Sequence, residues 1–131
     1  MPSTLRIEIV HGVGHVVLTR ADEYNTITPA LRDELATAID QLERDDEARV
    51  ILLRAEGPAF CAGYGLDWST VGQAREDREA DEGRRRVWDS VDDLRMMGRF
   101  VDTYMKLWYA KKPTIWGLFP GSSSRARSKK R

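Results

Sequence analysis

A chain of 131 residues, 41% hydrophobic and 32% charged, has room for one domain with a modest core, and these proportions exclude the disulfide-scaffold and membrane-spanning classes. The formal net charge of zero conceals an asymmetry: Lys111, Lys112, Arg125, Arg127, Lys129, Lys130 and Arg131 have no acidic residue among them, so an acidic body carries a basic tail. The tail lacks interleaved aromatics, which argues for a solvated segment and against a specific nucleic-acid or membrane partner.

Residues Met1 to Arg6 have no apolar signal core, and no apolar stretch reaches the roughly 20 residues that span a bilayer, so a cytoplasmic location is expected. Leu5 to Val10 alternates apolar with charged residues, the period of a half-buried strand. Gly12-Val13-Gly14 signals a turn, and the β-branched run His15 to Thr19 predicts a second strand completing a hairpin. The two glycines are not a dinucleotide fingerprint, because a strand follows them instead of a helix. Arg20 to Ile27 is polar and turn-like.

Thr28-Pro29 then supplies a hydroxyl N-cap and a proline at the first helical position, where its missing N–H costs nothing. A helix is predicted from about Pro29 to Arg44, with Leu31, Leu35, Ala38, Ile39 and Leu42 forming its apolar stripe. The apolar run within Ala48 to Arg54 reads as a strand buried on both faces of a parallel sheet. Strand, strand, helix and buried strand together predict an α/β fold.

The segment from Ala55 to Trp68 is a loop rich in small residues, leaving the C-terminal end of a buried strand, where open α/β sheets place ligands. Val71 to Arg86 is too highly charged for core and reads as exposed. From Val87 to Tyr109, the residues Val87, Val91, Leu94, Met97, Val101, Tyr104, Met105 and Trp108 recur at helical spacing and predict a second long helix, whose apolar face is expected to be left as an exposed patch. Trp88, Trp108, Tyr104 and Tyr109 read as core or oligomer contacts on the same face. Lys112-Pro113-Thr114-Ile115 breaks this helix and opens a further buried strand; Gly117 to Ser124 then reads as turn and linker.

In the loop, Gly57, Ala59, Ala62, Gly63 and Gly65 leave the backbone open to close approach, so that amide N–H groups can meet a ligand oxygen. Fixed amides of this kind form oxyanion holes. On spacing alone, a glycine-containing turn before a helix explains the segment better. Other reactive residues read as structural. Glu56 has no partner carboxylate and reads as surface charge. His11 and His15 read as solvated turn residues, and Cys61 as a small packing residue. A single cysteine with two histidines offers no disulfide and no metal-ligand spacing.

Gly57-Pro58-Ala59-Phe60-Cys61-Ala62-Gly63-Tyr64-Gly65-Leu66-Asp67 resembles the signature of the crotonase superfamily, the enoyl-CoA hydratase/isomerase family. Around it, Gly14 to Arg20, Asn25-Thr26-Ile27-Thr28 and Ala110 to Ile115 are similar to the family's second strand, its asparagine-containing turn and its Lys-Pro segment. The resemblance implies a crotonase-like core of ββα repeats. It also implies that an acyl-CoA thioester is the partner, its carbonyl held by two backbone N–H groups that stabilise an enolate.

By the same resemblance, the first donor is the backbone N–H of Tyr64, while Ala62, Gly63 and Leu66 line the path of CoA. CoA belongs to the substrate, and no separate cofactor is implied. Gly65 stands where the family usually has aspartate, and Asp67 falls two residues later. Beyond Ile115 the sequence offers no counterpart of the second donor or of the hydratase glutamates. The expectation is therefore a truncated, incomplete crotonase-like domain over residues 1–115 with a flexible, non-family basic tail over 116–131. Family members form trimers and hexamers, which makes a homo-oligomer the expected assembly. The expected activity is impaired acyl-CoA chemistry; its rival is an inactive fragment or CoA-binding pseudoenzyme.

Overall fold

The computed structural model describes residues 3–64 and 90–117. The expectations for Leu66, Asp67, the charged stretch after them, Val87, Trp88 and the basic tail lie outside the described residues. Strands β1 (Leu5–Val10), β2 (Val13–Leu18), β3 (Val50–Ala55) and β4 (Thr114–Trp116) form one sheet in that spatial order. Helix α1 (Pro29–Arg44) links β2 to β3, and helix α2 (Ser90–Tyr109) precedes β4. β1 and β2 are antiparallel, whereas β2, β3 and β4 run parallel, confirming the mixed α/β class.

The hairpin is tighter than the sequence suggested. Val10 pairs with Val13, leaving His11 and Gly12 as a two-residue loop with φ of 50° and 82°. Positive φ at both positions gives the loop a twist that matches the flanking strands. Gly14 is therefore not part of the turn: it lies inside β2, where a Cβ would stand 2.7 Å from Leu42 Cδ2. Its small size lets α1 sit close to the sheet.

Helix α1 forms as expected. Thr28 Oγ1 accepts from the Leu31 N–H at 3.2 Å, satisfying a donor left open by the first turn. At the other end, Lys112 Nζ donates to the carbonyls of Leu42 at 2.6 Å and Asp45 at 2.5 Å, placing positive charge against the negative end of the helix. Between these ends, Leu31, Leu35, Ala38, Ile39 and Leu42 are all buried against Leu5, Val16, Leu18, Ile51 and Leu53 of the sheet.

Two expectations about burial need correction. β3 is fully buried on one face only: Ile51 and Leu53 enter the core, while Val50, Leu52 and Arg54 are half-buried. Successive side chains point to opposite faces, and the second face carries charge, with Arg54 Nη2 donating to Glu8 Oε1 at 2.5 Å. β4 pairs with β3, but Ile115 and Trp116 remain more than half exposed, so it is an open edge instead of a buried strand.

The larger correction concerns α2. Phe100, Thr103 and Leu107 are its buried residues, while Val91, Leu94, Met97, Val101 and Trp108 of the predicted apolar stripe are exposed, so the core reading of Trp108 does not hold. Tyr104 and Met105 are half-buried and Tyr109 is exposed. The helix turns its longer apolar stripe to solvent because its contact with α1 is set by Phe100 beneath Arg32 and by Lys106 paired with Asp40 at 2.6 Å.

Candidate functional site

The loop that leaves β3 is folded onto the turn that leaves β2. After Arg20, a short 3-10 turn (Ala21–Glu23) delivers Tyr24 and Asn25 in left-handed conformations, with φ of 52° and 51°. Asparagine tolerates this region better than most side chains. Asn25 is 1% exposed, and its amide is engaged on both sides. Its Oδ1 accepts from the Arg20 N–H at 2.9 Å; its Nδ2 donates to the carbonyls of Glu56 at 2.9 Å and Ala59 at 3.1 Å.

Backbone contacts continue this attachment. The Ala62 N–H donates to the Tyr24 carbonyl at 3.0 Å, and the Ile27 N–H to the Gly63 carbonyl at 2.8 Å. Gly57, with φ of 92°, passes so near Ala21 that an added Cβ would come within 2.6 Å of the alanine Cβ. The turn is thus a template that fixes the loop at Glu56, Gly57, Ala59, Ala62 and Gly63.

Gly63 has φ of 86°, and Tyr64 follows it into a parallel bridge with Ile27. Within this bridge the Gly63 carbonyl accepts from the Ile27 N–H, which fixes the backbone immediately before Tyr64. The Tyr64 ring meets the Phe100 ring edge to face at 5.5 Å, and its hydroxyl lies 3.4 Å from that of Tyr104. The Arg32 guanidinium sits 4.8 Å from the Phe100 ring centroid. Burial pushes the Tyr104 phenol up from its ordinary range, and the hydrogen bond with Tyr64 adds to this, so it stays protonated and able to donate.

Of the expected site residues, Ala62, Gly63 and Tyr64 come together here, while Leu66 lies outside the described residues. Cys61 is half-buried, and its Sγ lies 3.4 Å from the Gly63 nitrogen, a local contact within the loop. Glu56 pairs with Arg6 across the strand ends, in keeping with a surface charge. His11 occupies the hairpin turn, but His15 is a half-buried strand residue opposite Glu8, correcting its assignment to a turn. Among the described residues, no group of three or more metal-ligating side chains occurs, and no helix is long and apolar enough to cross a membrane.

Sequence reasoning missed two contributors. Asn25 was noted only as part of a turn, although a side chain offering both a donor and an acceptor beside apolar positions invites the question of where its bonds go. Phe100 lay off the expected stripe and gave no signal of its own.

Comparison with known proteins places this architecture. The sequence profile described as enoyl-CoA hydratase/isomerase matches residues 8–97. The chain belongs to that family and, with it, to the crotonase superfamily. It is 35% identical over 63 residues to a hydroxycinnamoyl-CoA hydratase-lyase of Pseudomonas fluorescens, covering 48% of this chain and 23% of that protein. The crystal structure of an enoyl-CoA hydratase from Mycobacterium smegmatis superposes with a TM-score of 0.70 at 26% identity, over 86% of this chain and 39% of that one. An enoyl-CoA hydratase/isomerase from Xanthobacter autotrophicus Py2 gives 0.71 at 26% identity, over 88% and 38%. The chain thus spans less than half the length of the relatives it matches.

Proposed function

We propose that this chain binds an acyl-CoA thioester at the loop after β3, with the Tyr64 backbone N–H donating to the thioester carbonyl. Ala62 and Gly63, continuing to Leu66, line the path of CoA, which enters as part of the substrate without a further cofactor. The observation that carries the reading is the left-handed Gly63 followed by Tyr64 in its bridge to Ile27, which fixes the backbone at Tyr64 in the loop that leaves a parallel strand. The relatives described above bear CoA thioesters in their names, which supports this ligand class.

A preorganised backbone donor of this kind stabilises developing negative charge by about 2.7–4 kcal/mol. That is one part of enoyl-CoA hydratase/isomerase chemistry; proton transfer needs a placed acid or base as well. Glu56, the carboxylate nearest the loop in the described sequence, is occupied by Arg6. The expected behaviour is therefore thioester binding with strongly impaired turnover.

The test is calorimetry with crotonyl-CoA and with free CoA, alongside a hydratase assay that follows loss of the enoyl absorbance. Tighter binding of the thioester than of CoA is the expected result, preserved in Tyr64→Ala, which removes the ring and keeps the N–H, and lost in Tyr64→Pro, which removes both. Equal binding of both ligands, or a preference that survives Tyr64→Pro, refutes the assignment of the donor. Turnover well above background overturns the expected impairment.

A further inference from the structure

We infer that Asn25 is a positioning residue for the carbonyl-binding loop, acting through the peptide groups of Glu56 and Ala59 and touching no ligand itself. The inference rests on the proposed function for its ligand and on geometry alone for its mechanism.

The loop must hold the Tyr64 amide at a fixed direction, because a donor that must reorganise loses much of its electrostatic advantage. In the segment from Glu56 to Tyr64, Phe60 packs against the core and the Tyr64 ring against Phe100, but Ala59, Ala62 and the two glycines between and before them offer almost no side-chain packing. Their order comes from hydrogen bonds. Two backbone bonds, Ala62 to Tyr24 and Ile27 to Gly63, attach only the far end of the segment. At the near end the Glu56 N–H donates to the Leu18 carbonyl at 2.9 Å, and the stretch beyond it is held through the Asn25 side chain, whose single amide nitrogen bridges two carbonyls three residues apart in the loop.

The side chain is suited to this task in three respects. It is 1% exposed, so water does not compete for its bonds. Its Oδ1 is fixed by the Arg20 N–H at 2.9 Å, which sets the amide orientation and commits Nδ2 to the loop. Its backbone φ of 51° aims the side chain across the turn toward β3, a conformation that asparagine, aspartate and glycine adopt most readily. Arg20 reinforces the same turn, with Nη1 donating to the Thr26 carbonyl at 3.2 Å and to Thr28 Oγ1 at 3.3 Å. The clamp therefore continues into the cap of α1.

Asn25→Asp changes one donor group to an acceptor that faces two carbonyl oxygens. Asn25→Gly keeps the left-handed backbone and removes the side chain altogether, and serves if the aspartate variant does not fold. Amide hydrogen exchange followed by NMR reads the consequence. The Ala62 and Ile27 amides, which bond across the turn–loop junction, should exchange at least about tenfold faster, while the Val16 and Ile51 amides of the sheet keep their protection.

Unchanged exchange at Ala62 and Ile27 overturns the inference. So does an equal acceleration across the sheet, which would make Asn25 a general fold residue. A second readout is the ratio of crotonyl-CoA to CoA affinity, which should fall by about tenfold in the variants while CoA binding itself is retained. A variant that weakens both ligands equally rejects a role at the carbonyl. A wild-type chain with no preference for the thioester fails the functional reading and the carbonyl role with it; the exchange pattern still decides whether Asn25 holds the loop.

Discussion

Helix α1 buries Leu31, Leu35, Ala38, Ile39 and Leu42 against three strands, whereas helix α2, four residues longer, buries Phe100, Thr103 and Leu107 and leaves Leu94, Val101 and Trp108 in solvent. Both sequences carry an apolar stripe at helical spacing. The difference lies in what each helix meets. α1 crosses the sheet and presses on Gly14, a site that accepts it closely. α2 lies beside α1 and touches the sheet through Leu107, so one ring and one aliphatic chain set its rotation. A periodic stripe shows that a helix has an apolar face; the neighbour decides whether that face is buried.

Truncation at the buried positions should have the largest effects. Phe100→Ala and Leu42→Ala remove side chains that are fully buried, and each should lower unfolding stability by about 2–5 kcal/mol, read from the urea midpoint. If Phe100→Ala costs less than about 1 kcal/mol, the packing of α2 against α1 is not a stable part of the fold.

A middle-sized effect separates the helices by pH. Burial alone would raise the Glu34 carboxyl, but hydrogen bonds from Ser3 Oγ and from the Thr4 N–H and hydroxyl outweigh it and hold the group below its ordinary range. A folded-state value below the unfolded one gives a contribution that is complete above the usual glutamate range and is lost as the pH falls through the folded value. Glu34→Gln should therefore flatten the acid side of the stability curve, leaving α1 less firmly tied to the start of β1. An unchanged acid limb would show that this clasp is not formed in solution.

The smallest effect belongs to the exposed stripe. Leu94 is 72% exposed, and Leu94→Ala should change stability by less than about 0.5 kcal/mol. A loss comparable to that of Phe100→Ala would mean that the stripe is covered in solution.

Legibility in the sequence followed the same division. The bounds of α1, its N-cap and its buried face were all readable because a capping hydroxyl, a proline and five apolar positions agree. The hairpin was readable as an element, but its turn was placed one to two residues late, since His11 at positive φ is an uncommon turn residue and Gly14 offered a competing signal. β3 read as buried on both faces because apolar residues fill both; the Glu8–Arg54 pair that occupies the second face joins strands distant in sequence. The loop's small residues were plain, and the resemblance directed attention to Ala62, Gly63 and Tyr64. The support beneath them was not plain, because a hydrogen bond from Asn25 to Ala59 leaves no periodic trace.

Asn25 meets its two loop partners across separations of 31 and 34 residues, and those contacts require the parallel pairing of β2 with β3 around α1. Closing so long a segment is costly in entropy before any contact rewards it, and folds rich in such pairings form slowly. The hairpin and α1 can each take shape early, from local sequence. The loop acquires its shape only once the crossover is complete, so in a refolding experiment protection at Ala62 should trail protection in the hairpin, and recognition of a ligand there would be the last property the chain gains.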